Sequence, residues 1–131
     1  QGNLLIQDVC ITGSNLNAVG FLIFPKLEAC AQHAGLKLGE HSATEILQHP
    51  KVQQWFRQFL TTFNKDATGS SNTVSMLYLM IEPPQLDAGE VTDKGNLNQS
   101  SITKRRAALI DELYQKQTDN PLIIRVPTLK Q

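Results

Sequence analysis

The chain has no surplus of either charge, few cysteines and no apolar run long enough for a membrane. Each shortage removes a class of function. Twelve basic residues balance twelve acidic ones across 131 residues. That neutrality disfavours a general nucleic-acid or membrane-surface binder, since both draw on an excess of Lys and Arg. The longest apolar stretches, such as Val19 to Phe24, fall far short of the roughly 20 residues that a spanning helix needs. The N-terminal Gln-Gly-Asn has no basic region and no long apolar stretch behind it, so no signal peptide is read there. Two cysteines, Cys10 and Cys30, are too few for a disulfide scaffold and suit a reducing, cytoplasmic setting. The first residue is not Met, which reads as a processed chain or a piece of a longer one.

What is present is an ordinary globular composition, 40% hydrophobic, in a length that makes one domain with a real core. Gln7 to Thr12 reads as a short strand closed by the turn cluster Gly13-Ser14-Asn15. Ala18 to Phe24 reads as a second, well-buried strand, and the two suggest a hairpin. After Pro25 the period changes: Leu27, Cys30, Ala31 and Ala34 recur at helical spacing, with Gly35 as the stop. Ser42-Ala43-Thr44-Glu45 has the form of a capping box for a short helix ending before Pro50. Pro50 suits the first turn of a longer helix, on which Val52, Phe56, Phe59, Leu60 and Phe63 make one apolar stripe flanked by Trp55. Ala67 to Thr73 is a polar loop, and Val74 to Ile81 reads as a central strand. Pro83 to Gln99 shows no apolar period and is a long ordered loop or small hairpin, a length that usually signals function. Ile102, Leu109, Ile110 and Leu113 mark a last helix with N-caps offered by Asn98 to Ser101, and Leu122 to Val126 is an edge strand or a docked tail. The expectation is a small two-layer α+β domain, with a mostly antiparallel sheet of about three strands and three to four packed helices.

Much familiar chemistry is missing. There is neither a Gly-x-x-x-x-Gly-Lys-Ser/Thr phosphate loop nor a Gly-x-Gly-x-x-Gly fingerprint. His33, His41 and His49 are eight residues apart, whereas paired ligands on one helix need a spacing of three or four, so no metal site is expected. Cys10 and Cys30 read as small buried hydrophobes without a nearby cation to activate them. Lys104-Arg105-Arg106 is the only basic run. It reads as a solvated helix face, with contact to a phosphate group as the alternative, and Glu90 and Arg105 read as surface residues.

The segment from Asp87 to Gln99 is different: polar, with two glycines and one lysine, Lys94, in a turn beside Gly95. Glu82-Pro83-Pro84, then LDAGEVTDKGNLNQ, then KRRAALIDELY closely resembles the C-terminal end of feruloyl-CoA synthases, which belong to the adenylate-forming acyl-CoA synthetase superfamily. QDVCITG and VGFLIFPKLEAC are similar to the same subdomain, so the resemblance covers essentially the whole chain.

The resemblance implies that residues 1–131 are the mobile C-terminal subdomain of a two-step ligase, with a large N-terminal domain elsewhere in the same polypeptide. It implies ATP (with Mg) and coenzyme A as co-substrates, and a carboxylic acid of feruloyl or hydroxycinnamate type. The acid is first adenylated and then moved to the coenzyme A thiol. The glycine-turn lysine, here Lys94, is the implied catalytic residue for adenylation. Gly89, Thr92, Asp93, Gly95 and Asn96 form the implied loop for ATP and acyl-adenylate or for coenzyme A. A compact ammonium that offsets the repulsion between two anionic reactants is sound electrostatics. Most superfamily members place the lysine directly after the glycine, whereas here Lys94 precedes Gly95 and Asn96 takes the usual lysine position. Asp93 is expected to cap the turn. The subdomain alone is expected to be inert, and to expose a former interface around Val91 to Gln99 through which it could dimerise. The competing reading is a stand-alone, non-catalytic α+β binding or regulatory module.

Overall fold

Seven residues, Ile6–Thr12, form β1, which pairs antiparallel with β2, Gly20–Pro25, in a register that sets Cys10 opposite Leu22 and Thr12 opposite Gly20. The structure is a computed structural model and describes residues 4–13, 19–65, 73–115 and 119–127. Ser14, Asn15, Ala18 and most of the expected 67–73 loop lie outside the described residues. Every residue from Gly20 to Phe24 is buried, which explains the unbroken apolar run: a strand covered on both faces has no polar side to present.

β2 then pairs in parallel with β3, Met76–Leu79, and β3 pairs antiparallel with β4, Ile123–Arg125, giving the sheet order β1-β2-β3-β4. Two of the three pairings are antiparallel. The central-strand expectation for the 74–81 run holds, and the 122–126 run resolves into an edge strand. A parallel pair needs a crossover connection, which α1 (Leu27–Ala34), α2 (Ala43–Gln48) and α3 (Pro50–Lys65) supply. Their boundary signals are those written in the chain. Gly35 adopts φ 75° and returns its N–H to the carbonyls of Ala31 and Gln32. Ser42 and Glu45 form a reciprocal capping box, and Pro50 opens α3.

Successive residues of β2 face opposite ways. Phe21 meets α3, its ring 5.4 Å from Phe63 and 6.4 Å from Phe59. On the other side, a Cβ at Gly20 would come within 2.9 Å of the Leu113 side chain, on α5 (Ala107–Leu113), so a larger residue there would have to displace that side chain. Along α3 the fully shielded residues are Val52, Phe56 and Leu60, while Phe63 keeps 39% of its surface. The next buried position is Asn64, whose amide accepts from Val74 N–H (2.7 Å) and donates to Val74 C=O (2.8 Å). The single last helix expected from the sequence is two, α4 (Gln99–Arg105) and α5, broken at Arg106.

Candidate functional site: a polar loop held at its base

Between β3 and α4 the chain runs from Met80 to Asn98 with little secondary structure, and its order comes from hydrogen bonds. Leu86–Ala88 makes one 3-10 turn, ended by Gly89 at φ 77°. Glu90 follows, and from there a short hairpin rises. The Glu90 carbonyl accepts from Asn98 N–H (2.8 Å), and Val91 bridges Leu97 antiparallel. Thr92 N–H donates to Asn96 C=O (2.7 Å), and Gly95 N–H donates to Thr92 C=O (2.9 Å). Gly95 sits at φ 87°, a left-handed geometry that only glycine adopts cheaply. Asn98 then caps α4 by accepting from Ser101 N–H.

Lys94 stands in this turn, exposed, and among the described residues its ammonium has no hydrogen-bond or ion-pair partner. Thr92, Asp93, Gly95 and Asn96 surround it and are exposed as well; Gly89 is exposed at the far end of the 3-10 turn. The structure therefore brings Thr92 to Asn96 together around Lys94 and leaves Gly89 apart, below the hairpin base. The expectation that Asp93 caps the turn is corrected. The Thr92 hydroxyl, not Asp93, accepts from Asn96 N–H (3.1 Å), because a side chain four residues back in the turn reaches that donor. Val91 and Leu97 are half-buried, so what the 91–99 segment exposes is polar.

Beneath the hairpin lies a constellation that the sequence reading misplaced. Glu90 and the basic run were read as surface residues; in fact Glu90 has no solvent exposure and Arg106 only 4%. Arg106 donates Nε to Glu90 Oε2 (2.8 Å) and Nη2 to Glu90 Oε1 (2.9 Å), the forked geometry that a guanidinium offers a carboxylate. The same side chain donates to the carbonyls of Glu82 (2.9 Å) and Pro83 (3.0 Å), and it lies 5.0 Å above the centroid of the Phe24 ring. Gln85 N–H adds a further bond to Glu90 Oε1. Arg105, which is half-exposed, reaches both Glu90 (3.3 Å) and Glu82 (3.0 Å). Of the run, Lys104 is exposed on the helix face and has no hydrogen-bond or ion-pair partner among the described residues. The Arg106 hydrogen bonds hold the Glu90 carboxyl down to about 2, against the opposing effect of burial, with the Gln85 N–H helping. A signal for this was present: Arg106 falls on the i, i+4, i+7, i+11 stripe of Ile102, Leu109 and Leu113, the face that packs inward.

Among the described residues the remaining candidates make no hydrogen bond to Glu90 or Arg106, although Cys10 lies near enough for both charges to act on its thiol. Cys10 and Cys30 are free and buried, and burial pushes both thiols up to about 11. His41 lies 3.6 Å from Glu45, and His49 accepts from Lys51 N–H. Among the described residues no group of three or more His, Cys, Asp or Glu could hold a metal ion. No described helix is long and apolar enough to cross a membrane. One ammonium on a turn is a fitting contact for a phosphate or carboxylate oxygen, but too little to hold a triphosphate by itself, so Lys94 fits a contributing role toward ATP.

Residues 1–118 match the sequence pattern of a family described as the AMP-binding enzyme C-terminal domain. A solved structure, the A-PCP didomain of carboxylic acid reductase from Segniliparus rugosus in complex with AMP, is similar in fold, with a TM-score of 0.55 over 86% of the chain at 15% identity. The match takes in 14% of that longer chain. No curated protein matches in sequence.

Proposed function

The chain belongs to the family of AMP-binding enzyme C-terminal domains, and from that premise we propose that it is the mobile C-terminal subdomain of an ATP-dependent acid–CoA ligase. A large N-terminal domain of the same polypeptide supplies most of the nucleotide and acid pocket. The full enzyme activates a carboxylic acid to its acyl-adenylate with release of pyrophosphate, then passes the acyl group to the thiol of coenzyme A. The resemblance of the string EVTDKGNLNQ to feruloyl-CoA synthases supports the feruloyl type of acid. The AMP present in the similar structure supports an adenylate step.

The observation that carries the reading is Lys94, an ammonium on an exposed, internally hydrogen-bonded turn with no partner among the described residues. The adenylation step brings two anions together and builds charge on phosphorus, and an ammonium carried to that point when the subdomain docks would stabilise both. Thr92, Gly95 and Asn96 hold the turn in shape, and Asp93 and Gly89 complete the loop that meets ATP and acyl-adenylate or coenzyme A. ATP–pyrophosphate exchange on the full-length protein, with ferulate and a panel of other acids, tests the proposal. Acid-dependent exchange is expected, and Lys94→Ala should lower it on the order of 100- to 1,000-fold while sparing thioester formation from supplied acyl-adenylate. A folded full-length protein with no exchange for any acid would instead be a non-catalytic binding module.

A further inference from the structure

Among the described residues, the turn that carries Lys94 makes its hydrogen bonds to itself. Thr92 bonds Asn96 and Gly95, and residues 92–96 are all exposed. Its direction is therefore set at the base, where the Glu90 carbonyl closes on Asn98 and the Glu90 side chain is fixed from below. The group that fixes it, Arg106, holds both legs of the loop at once. It bonds the Glu82 and Pro83 carbonyls where the chain leaves β3, and both Glu90 oxygens where the hairpin begins, and it rests on Phe24 of β2. A buried ion pair is a poor way to gain stability, because an apolar pair of similar volume often does as well or better. What the guanidinium offers that an apolar pair lacks is direction: several donors in one rigid plane.

We propose that Arg106, acting through Glu90, is a positioning residue for Lys94. It clamps both ends of the 82–98 loop to the sheet so that the hairpin presents the ammonium at one fixed angle. This rests on the assignment of Lys94 to adenylation. A clamped hairpin moves only with the whole subdomain, so Lys94 arrives already aimed when the subdomain docks, and no separate loop ordering is needed. A displacement of about 1 Å at a reacting group can cost on the order of 100-fold in rate.

The test is a double-mutant cycle on the full-length enzyme, read by ATP–pyrophosphate exchange. It compares Lys94→Ala, the paired change Glu90→Leu with Arg106→Met, and all three together. The paired change removes the clamp without stranding a buried charge. It should lower exchange about 10- to 100-fold in the wild-type background and have no further effect once Lys94 is gone. The same loss in both backgrounds would mean that the clamp only supports folding, and would overturn the proposal. Full exchange in the paired variant would overturn it too. Should the paired variant not fold, Arg106→Lys, which keeps the charge and loses the fork, enters the same cycle with the same outcomes. Lys94→Ala is scored alone: if it leaves exchange intact, the assignment of Lys94 itself fails and the positioning role falls with it, whereas a coupled loss in the cycle sustains both.

Discussion

Val52, Phe56 and Leu60 on α3 are sealed against the sheet by apolar contact, with Trp55 and Phe59 stacked beside them at 6.0 Å. Across the molecule the 82–106 region is just as well shielded at its centre, yet what is shielded there is a carboxylate and a guanidinium. The two regions answer different demands. Apolar burial is non-directional and roughly proportional to area, so it holds a helix down without specifying angles closely. Forked hydrogen bonds are directional and leave a large penalty if one partner is lost. The crossover half needs only to be stable, whereas the loop half must hold a hairpin in one orientation.

The comparison can be broken from either side. Phe56→Ala should destabilise the chain by about 3–5 kcal/mol, the transfer loss plus a cavity, as measured by denaturant unfolding. Glu90→Leu alone should cost a similar amount, about 3–5 kcal/mol, since it strands Arg106 without its counter-ion. Here the regions part company. A compensating second change, Arg106→Met, should recover most of the Glu90→Leu loss, whereas no polar change elsewhere repairs the Phe56 cavity. If Glu90→Leu is mild by itself, the clamp carries little strain and the contrast between the halves collapses.

Acid sharpens the same contrast. The folded Glu90 carboxyl titrates at about 2, below its ordinary 4.5. Its contribution to stability is complete above about 4.5 and fades as pH falls toward 2, since below both values the unfolded and folded chains bind the proton alike. The wild type should therefore lose stability over that window more steeply than the Glu90→Leu, Arg106→Met variant. Equal slopes in paired acid titrations would deny Glu90 that role. Phe56→Ala should lower the whole curve without changing its slope there.

The apolar half was largely legible in the sequence because its signals are local and periodic. Gly35, the Ser42–Glu45 box and Pro50 each specify a helix end through the backbone itself, and the α3 stripe repeats at helical spacing. Where the stripe failed, at Phe63 and Asn64, the reason is that hydropathy ranks Asn as a surface residue. Its burial depends on Val74, a partner beyond the next loop. The site was legible only at its tip. The turn around Lys94 is written in Gly95, although the hydroxyl that caps it belongs to Thr92 and not to the expected Asp93, and its base is not written there. Glu90 is separated from Arg106 by the 91–98 hairpin and α4; neither residue type announces burial, and only Arg106's place on the Ile102, Leu109 and Leu113 stripe hints at it. The break between α4 and α5 at Arg106 was equally hidden, since Ile102, Leu109, Ile110 and Leu113 continue one apolar period straight through it.

The smallest effects come from polar groups that sit inside the apolar half, and they ask whether burial or bond count sets the cost. Asn64 makes two hydrogen bonds to the Val74 backbone at 5% exposure, and Ser42 with Glu45 makes two in a box open to solvent. Asn64→Ala leaves a buried N–H and a buried C=O without partners, each a desolvated group, and should cost about 1–3 kcal/mol. Ser42→Ala removes a cap whose donor water can reach, and should cost about 1 kcal/mol. Unfolding measurements on the two variants side by side decide the matter. A larger loss at Asn64 means that shielding from water gives a hydrogen bond its weight, which is the same condition that makes the Arg106–Glu90 clamp stiff. Equal losses would mean that the number of bonds matters more than their surroundings, and the clamp would then differ from a surface cap only in its count of donors.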